Sequence, residues 1–298
     1  MRKLIWILGL VAILPGTAAR AQLADPGSVG VAMGHVHFAV QDMDAAKKFW
    51  IAVGGKPASK LGANEVVKFP GVLILIRKAM DPTAGTVGST VNHIGFLVPN
   101  VAEARAKWMA AGLIMEPPNP ANAKQIYLHS PDDLVRVEIL EDAMQTVPIK
   151  FHHVHFFVAD TGSTNSVLAI QAWYAKTFGA KPGKRGQFEA ADLPGVNLTF
   201  AKSDTPTVGT KGRELDHIGF EIKGLEAFCK KAEAAGIKLD MPYTPRPDLG
   251  IALAFVTDPW GTYIELNEGL SKLCPFARKA GPRRSSPPCR RRSRTACN

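Results

Sequence analysis

Apolar and polar positions along the chain follow two rhythms that replace one another in a fixed order. His35–Val40 is a strand-like run, and Met43–Gly54 then spaces its apolar residues at a helical period, opened by Asp42 and closed near Gly54. "EVVKF" and "VLILI" follow as strands around the turn Pro70-Gly71. Residues 91–141 repeat the plan: strand "HIGFLV", N-cap Asn100, helix to Ala111, stop at Gly112, then strands "QIYLH" and "VRVEIL". Tight turns between the later strands of each quarter predict antiparallel pairing there. The pattern predicts an α+β fold rather than a doubly wound parallel sheet.

The chain also matches itself. "GHVHFAV" at 34 meets "HHVHFFV" at 152, "FPGVLILI" at 69 meets "LPGVNLTF" at 193, and "VNHIGFLV" at 91 meets "LDHIGFEI" at 215. "VRVEIL" at 135 meets "TYIELN" at 262. The order never changes and the offset grows, so insertions lie in connecting segments. The repeat predicts two domains, 31–147 and 149–269, joined by "MQTVPIK". Gly179 and Gly236 stop the helices of the second.

Charge changes the picture only at the ends. The net charge is +10, but nine Lys/Arg and no acid lie in 271–298, and three and no acid in 1–21, leaving the rest at −2. The body is nearly neutral, so the overall basicity says nothing about a nucleic-acid surface on it, and no nucleic-acid partner is expected. Residues 1–21 read as an export signal: Arg2 and Lys3, an apolar run Leu4–Leu14, and "ARA" before Gln22. That run is too short to span a bilayer, and no later stretch is long enough, so the expectation is a periplasmic or secreted protein free of the membrane once the signal is removed. The tail 270–298, rich in Pro, Ser and Arg, is expected to be disordered. Three of the four cysteines fall in it and the fourth is Cys229, which makes neither a disulfide framework nor a Cys-rich metal site.

The chemistry lies in the histidines. Side chains at i and i+2 of a strand share a face, so His35 and His37 point together, as do His153 and His155, while His152 points away. His93 and His217 open the corresponding strands of the later quarters, and Glu138 and Glu265 sit among apolar residues in the last strands. A carboxylate buried there needs a cation, a donor or water. Two imidazoles and one carboxylate converging from three strands form the facial ligand set of a divalent transition metal, with positions left open for a substrate.

These residues resemble the vicinal oxygen chelate superfamily, which includes glyoxalase I, extradiol dioxygenases, fosfomycin-resistance transferases and bleomycin-binding proteins. "HVHFAVQDMDAAKKFW", "NHIGFLV" and "TDPWGTYIEL" carry the resemblance, which spans 34–141 and 151–268. It implies tandem domains, each of two βαβββ modules around a U-shaped cleft with one metal (Fe2+, Mn2+, Zn2+ or Ni2+). His35, His93 and Glu138 match the ligands of the first domain, and His153, His217 and Glu265 those of the second. His37 and His155 then line the cavity as proton acceptors or donors, as substrate hydrogen-bond donors, or as ligands exchanged with their neighbours. Tyr127 matches loosely a tyrosine that assists oxygen activation in extradiol enzymes, and reads equally as an ordinary strand aromatic. "VLILIRK" and "VNLTFAK" lack the acid that glyoxalase I adds as a fourth ligand. The implied protein is a metal-dependent enzyme on a small oxygen-chelating substrate, by dioxygenase-like or lyase- or isomerase-like chemistry. The alternative is a binder that sequesters a small ligand or a metal. The oligomeric state is not implied.

Overall fold

The computed structural model describes residues 23–162 and 164–273. The signal segment 1–21 read from the sequence lies outside them, as does the tail from 274 onward. The chain folds as four βαβββ modules. The first is β1 (Val31–Val40), α1 (Met43–Val53), β2 (Lys56–Leu61), β3 (Asn64–Phe69) and β4 (Val72–Lys78). The second is β5 (Val91–Val98), α2 (Val101–Ala110), β6 (Ile114–Met115), β7 (Gln125–His129) and β8 (Arg136–Glu141). The third is β9 (Lys150–Val158), α3 (Ser166–Phe178), β10 (Lys181–Arg185), β11 (Phe188–Leu193) and β12 (Val196–Lys202). The fourth is β13 (Leu215–Ile222), α4 (Leu225–Ala234), β14 (Leu239–Arg246), β15 (Ile251–Thr257) and β16 (Tyr263–Glu268), followed by α5 (Leu270–Leu273).

The helix ends follow local chemistry. Asp42 and Asn100 accept the amides of Ala45 and Glu103 in the first turns of α1 and α2. Gly179 caps α3 in the left-handed conformation, as Gly112 does just past α2. Within each module the last three strands pair antiparallel, and the first strand pairs in parallel with the last, as β1 does with β4 and β5 with β8.

The modules do not pair in chain order. One eight-stranded sheet runs β14-β15-β16-β13-β1-β4-β3-β2, so the first module joins the fourth; the other runs β10-β11-β12-β9-β5-β8-β7-β6, so the second joins the third. The expected division into 31–147 and 149–269 is therefore corrected. "MQTVPIK" links two modules of one sheet instead of separating two domains. The physical reason is that every module begins with a strand ready to pair antiparallel with another module's first strand. The repeat specifies that edge four times and does not say which copies meet.

One apolar core joins all four modules. Trp50, Phe69, Phe96 and Phe151 form a continuous aromatic contact through the first three, and Phe178 meets Phe220 at 5.0 Å between the third and fourth. Trp108 of α2 donates to the Ala52 carbonyl of α1, tying neighbouring modules at the helix layer. Residues 270–273, expected within the disordered tail, instead form α5. Leu270 is fully buried and the amides of 269–271 donate to the Glu221 carboxylate, so a buried apolar anchor and a satisfied turn hold this piece. No helix among the described residues is long and apolar enough to cross a membrane.

Candidate metal centres

In each sheet the first strands of its two modules run antiparallel down the middle. On β1 and β13, His37 pairs with His217 and His35 with Gly219. On β5 and β9, His93 pairs with His155 and Gly95 with His153. The last strand β16 places Glu265 beside Gly219, and β8 places Glu138 beside Gly95. Two clusters result: His35, His37, His217 and Glu265, and His93, His153, His155 and Glu138. All eight residues are buried.

The sequence reading of six ligands therefore needs regrouping. His35 does not meet His93 and Glu138; it meets His217 and Glu265 from the far end of the chain. His153 meets His93 and Glu138. The modules exchange partners, so each centre takes one histidine from one half of the chain and a histidine and an acid from the other.

The geometry suits a metal. Ligands about 2.0–2.2 Å from one ion at 90–109° stand roughly 2.8–3.6 Å apart. In the first centre Glu265 Oε2 lies 2.8 Å from His217 Nε2 and 3.3 Å from His35 Nε2. In the second, Glu138 Oε2 lies 2.8 Å from His153 Nε2 and 3.5 Å from His93 Nε2. His35 Nε2, His153 Nε2 and Glu138 Oε2 are buried without a hydrogen-bond partner. Although His153 and Glu138 stand in contact, the ring nitrogen does not aim at the oxygen. Lone pairs that converge on a third point satisfy such atoms with a cation.

Electrostatics keeps the ligands in binding form. Burial lowers His35 and His93, and lowers His153 to about 3, against the opposing pull of the neighbouring glutamates, so these imidazoles stay neutral. Burial pushes Glu138 and Glu265 up, but the histidines packed against them outweigh it and hold both well below the usual carboxylate range. His217 differs: burial lowers it, but Asp216 and Glu265 together raise it above its ordinary value.

Several supporting residues were not picked out from the sequence. A Cβ on Gly219 or Gly95 would overlap the ring of His35 or His153, so each glycine makes the bed on which a ligand ring lies. The signal was present as the third letter of "HIGF" in both repeats. His217 Nδ1 sits 2.6 Å from Asp216 Oδ1, and His93 Nδ1 2.9 Å from Asn92 Oδ1, so the residue before each histidine orients it. The outer oxygen of each glutamate takes an amide donor: Asn267 for Glu265 at 2.7 Å, and Gln125 for Glu138.

Tyr127 donates to Glu138 Oε1 at 3.0 Å, from the register position where β15 has Phe255 opposite Glu265. His37 and His155 lie beside the ligands: the His37 ring is 4.4 Å from that of His217, and His155 Nδ1 is 3.1 Å from His93 Nε2. Burial lowers both, His155 to about 2, with their neighbouring histidines adding to it. His152 faces away from the centre, with its Nδ1 at 3.0 Å from His153 Nδ1. A cleft of about 420 Å³ opens in front of the first centre, between His37, Arg77, Met241, Leu253 and Phe255.

Residues 150–266 match the model of the Glyoxalase/Bleomycin resistance protein/Dioxygenase superfamily. Among solved structures, a point mutant of glyoxalase I from Zea mays is similar at TM-score 0.63 and 18% identity, over 82% of this chain and 95% of that one. The Zea mays glyoxalase I itself is similar at TM-score 0.61 and 18% identity, over 82% and 95%. A protein of Bacillus subtilis provisionally named a dioxygenase is similar at TM-score 0.60 and 14% identity, over 80% and 87%. No curated protein matches the chain. Residues 150–266 thus match the family model, and the described chain as a whole shares the fold of these glyoxalase I structures.

Proposed function

We propose that the chain is an exported, divalent-metal-dependent enzyme whose substrate is a small molecule with two neighbouring oxygens. The observation behind this is the recurrence of one buried two-histidine, one-glutamate set in both sheets, with ligand atoms at the spacing one ion requires. His35, His217 and Glu265 would hold the ion of the first centre, and His93, His153 and Glu138 that of the second. A metal held there by three protein ligands supplies Lewis-acid stabilisation of charge developing on the substrate's oxygens. Neutral imidazole and carboxylate donors suit Fe2+, Mn2+, Ni2+ and Zn2+ alike.

The chain's own residues supply the rest. His37 has both ring nitrogens buried without a partner, and burial keeps it neutral, the form able to take a proton. This supports proton abstraction next to the chelating oxygens, the step of a lyase or isomerase. His155 occupies the matching position in the second centre. The second reading, oxidative cleavage by a dioxygenase, is favoured by the facial character of the ligand set and by the Tyr127 hydroxyl at Glu138. Deuterium exchange into a bound hydroxyketone supports the first chemistry, and oxygen uptake with a catechol supports the second.

Elemental analysis of the purified protein tests the common ground. Two metal equivalents per chain are expected, falling to one in His35→Ala and one in His153→Ala. A metal-free protein that still binds small ligands would overturn the enzyme reading in favour of a binding protein. Export is tested by fractionating cells that express the full chain: recovery from the cytoplasm with residues 1–21 intact would refute it.

A further inference from the structure

The two centres share their ligands and differ in what surrounds them. Strand register makes the comparison residue by residue. Leu61 and Arg185 each end the second strand of a module, just before a left-handed glycine, Gly62 or Gly186. Leu75 pairs with His37, and Thr199 with His155. Leu253 and Gln125 stand at the same place on β15 and β7, as do Phe255 and Tyr127. At all four places the first cleft has an apolar side chain and the second a polar one.

Part of the first cleft's lining is apolar, with Arg77 and Arg246 elsewhere in it. Leu61, Leu75 and Leu270 pack with Leu23 into a satellite cluster separate from the main core, and Leu61, Leu75 and Leu270 also line the cleft. At the second centre the position matching Leu61 carries a positioned cation. Arg185 Nε donates to Thr199 Oγ1 at 2.8 Å, and Thr199 donates in turn to Asn197 at 2.6 Å, which is anchored on Asp192 at 2.7 Å. This relay holds the guanidinium so that Nη2 stands 3.8 Å from Glu138 Oε2, the oxygen that faces the histidines. A partly buried arginine beside a metal ligand attracts the Glu138 carboxylate but repels the ion that carboxylate would hold. It makes sense when an anion comes between them. The residue before the ligand histidine shifts the balance the same way: acidic Asp216 in the first centre, neutral Asn92 in the second.

We infer that the second centre takes a molecule with a carboxylate beside its chelating oxygens, gripped by Arg185, and that the first centre, with Leu61 at the matching place, has no such grip there. A planar guanidinium accepts a carboxylate through two parallel hydrogen bonds, which a leucine at the same place cannot offer. The inference rests on the chelate reading of both centres, and the test separates the two.

The probes are 3,4-dihydroxybenzoate and 4-methylcatechol, which chelate alike and differ in a carboxylate against a methyl group. They are titrated calorimetrically into protein loaded with redox-inert Zn2+. His35→Ala leaves the second centre intact; there 3,4-dihydroxybenzoate is expected to bind at least ~10-fold tighter than 4-methylcatechol, the worth of one charge-assisted contact, and R185M should erase that margin. His153→Ala leaves the first centre, where R185M should change the affinity for neither probe. A second-centre preference that is absent, or that survives R185M, overturns the inference while leaving the chelate reading standing. Binding of neither probe to any variant overturns the chelate reading and the inference with it. Should either histidine variant fail to fold, R185M in the otherwise native chain must remove one 3,4-dihydroxybenzoate site and keep 4-methylcatechol binding; loss of both or of neither overturns the inference.

Discussion

Replacing Gly219 with alanine isolates the contact that seats the first metal. Gly219 lies opposite His35 across the β1–β13 pair, and the added methyl would overlap the imidazole far inside the ~3.5 Å at which two carbons rest. The ring is fully buried, so it must retreat by roughly 1 Å or more into packed surroundings. Overpacking of this kind costs about 1–3 kcal/mol. The sign is informative, because removing a glycine from a strand interior ordinarily stabilises by about 0.5–1 kcal/mol. A ligand displaced by that much from a ~2.1 Å bond no longer coordinates. G219A should therefore lower the melting temperature and drop metal content from two equivalents to one; G95A should do the same at the second centre through His153. The assays are calorimetric unfolding and elemental analysis. A double-mutant cycle sharpens them: in a His35→Ala background the methyl has nothing to strike, so G219A should become neutral or stabilising. A G219A protein with two metals and unchanged stability would refute the seating of His35 across that glycine.

Asp216→Asn should weaken the first centre's metal affinity about 10–100-fold and leave the second unchanged, since the carboxylate that orients His217 is lost; competition against a chromophoric chelator reads both centres, and equal weakening of both would count against it. Leu270→Ala should destabilise by about 2–4 kcal/mol, because a fully buried side chain leaves the satellite cluster; denaturant unfolding measures it, and a loss under about 0.5 kcal/mol would show α5 to be dispensable. Burial, with Asp132 beside it, raises Glu214 to about 9. A carboxyl raised in the folded state favours folding below its unfolded value near 4.3 and loses that contribution as pH rises toward about 9. The melting temperature should therefore fall across that window, and Glu214→Gln should flatten the fall; parallel profiles for the two proteins would refute it.

Much of the fold was readable because its central strands obey simple patterns. Val91–Val98 and Leu215–Ile222 sit between other strands and read as near-continuous apolar runs, and Asp42 and Asn100 announce their helices. The edge strands were silent. Lys56–Leu61 and Lys181–Arg185 are exposed along most of their length and contain proline, so no alternation marks them; only the pairing with β3 and β11 reveals them as strands. The ligands were legible because strand alternation puts His35 on one face without knowledge of its partner. What each histidine meets was not legible, because that is fixed by which module lies across the antiparallel seam. Arg185 shows the same limit: at the end of a polar edge strand it looks like any surface arginine until the fold curls β10 toward Glu138.

The module order also dictates how the chain must be built. It closes like nested brackets: 91–141 meets 150–202 across an eight-residue link, whereas 31–78 waits for 215–268. On a ribosome, the inner pair can close while the opening segment still exposes an unpaired first-strand edge. The first candidate centre, with His35 in the first module and Glu265 in the fourth, forms only after the fourth module has been synthesised. Such a distant pairing is the slow step of folding and the one most exposed to mispairing between copies. A stop codon falling after the third module and before Glu265 would thus spare the inner centre and abolish the outer one.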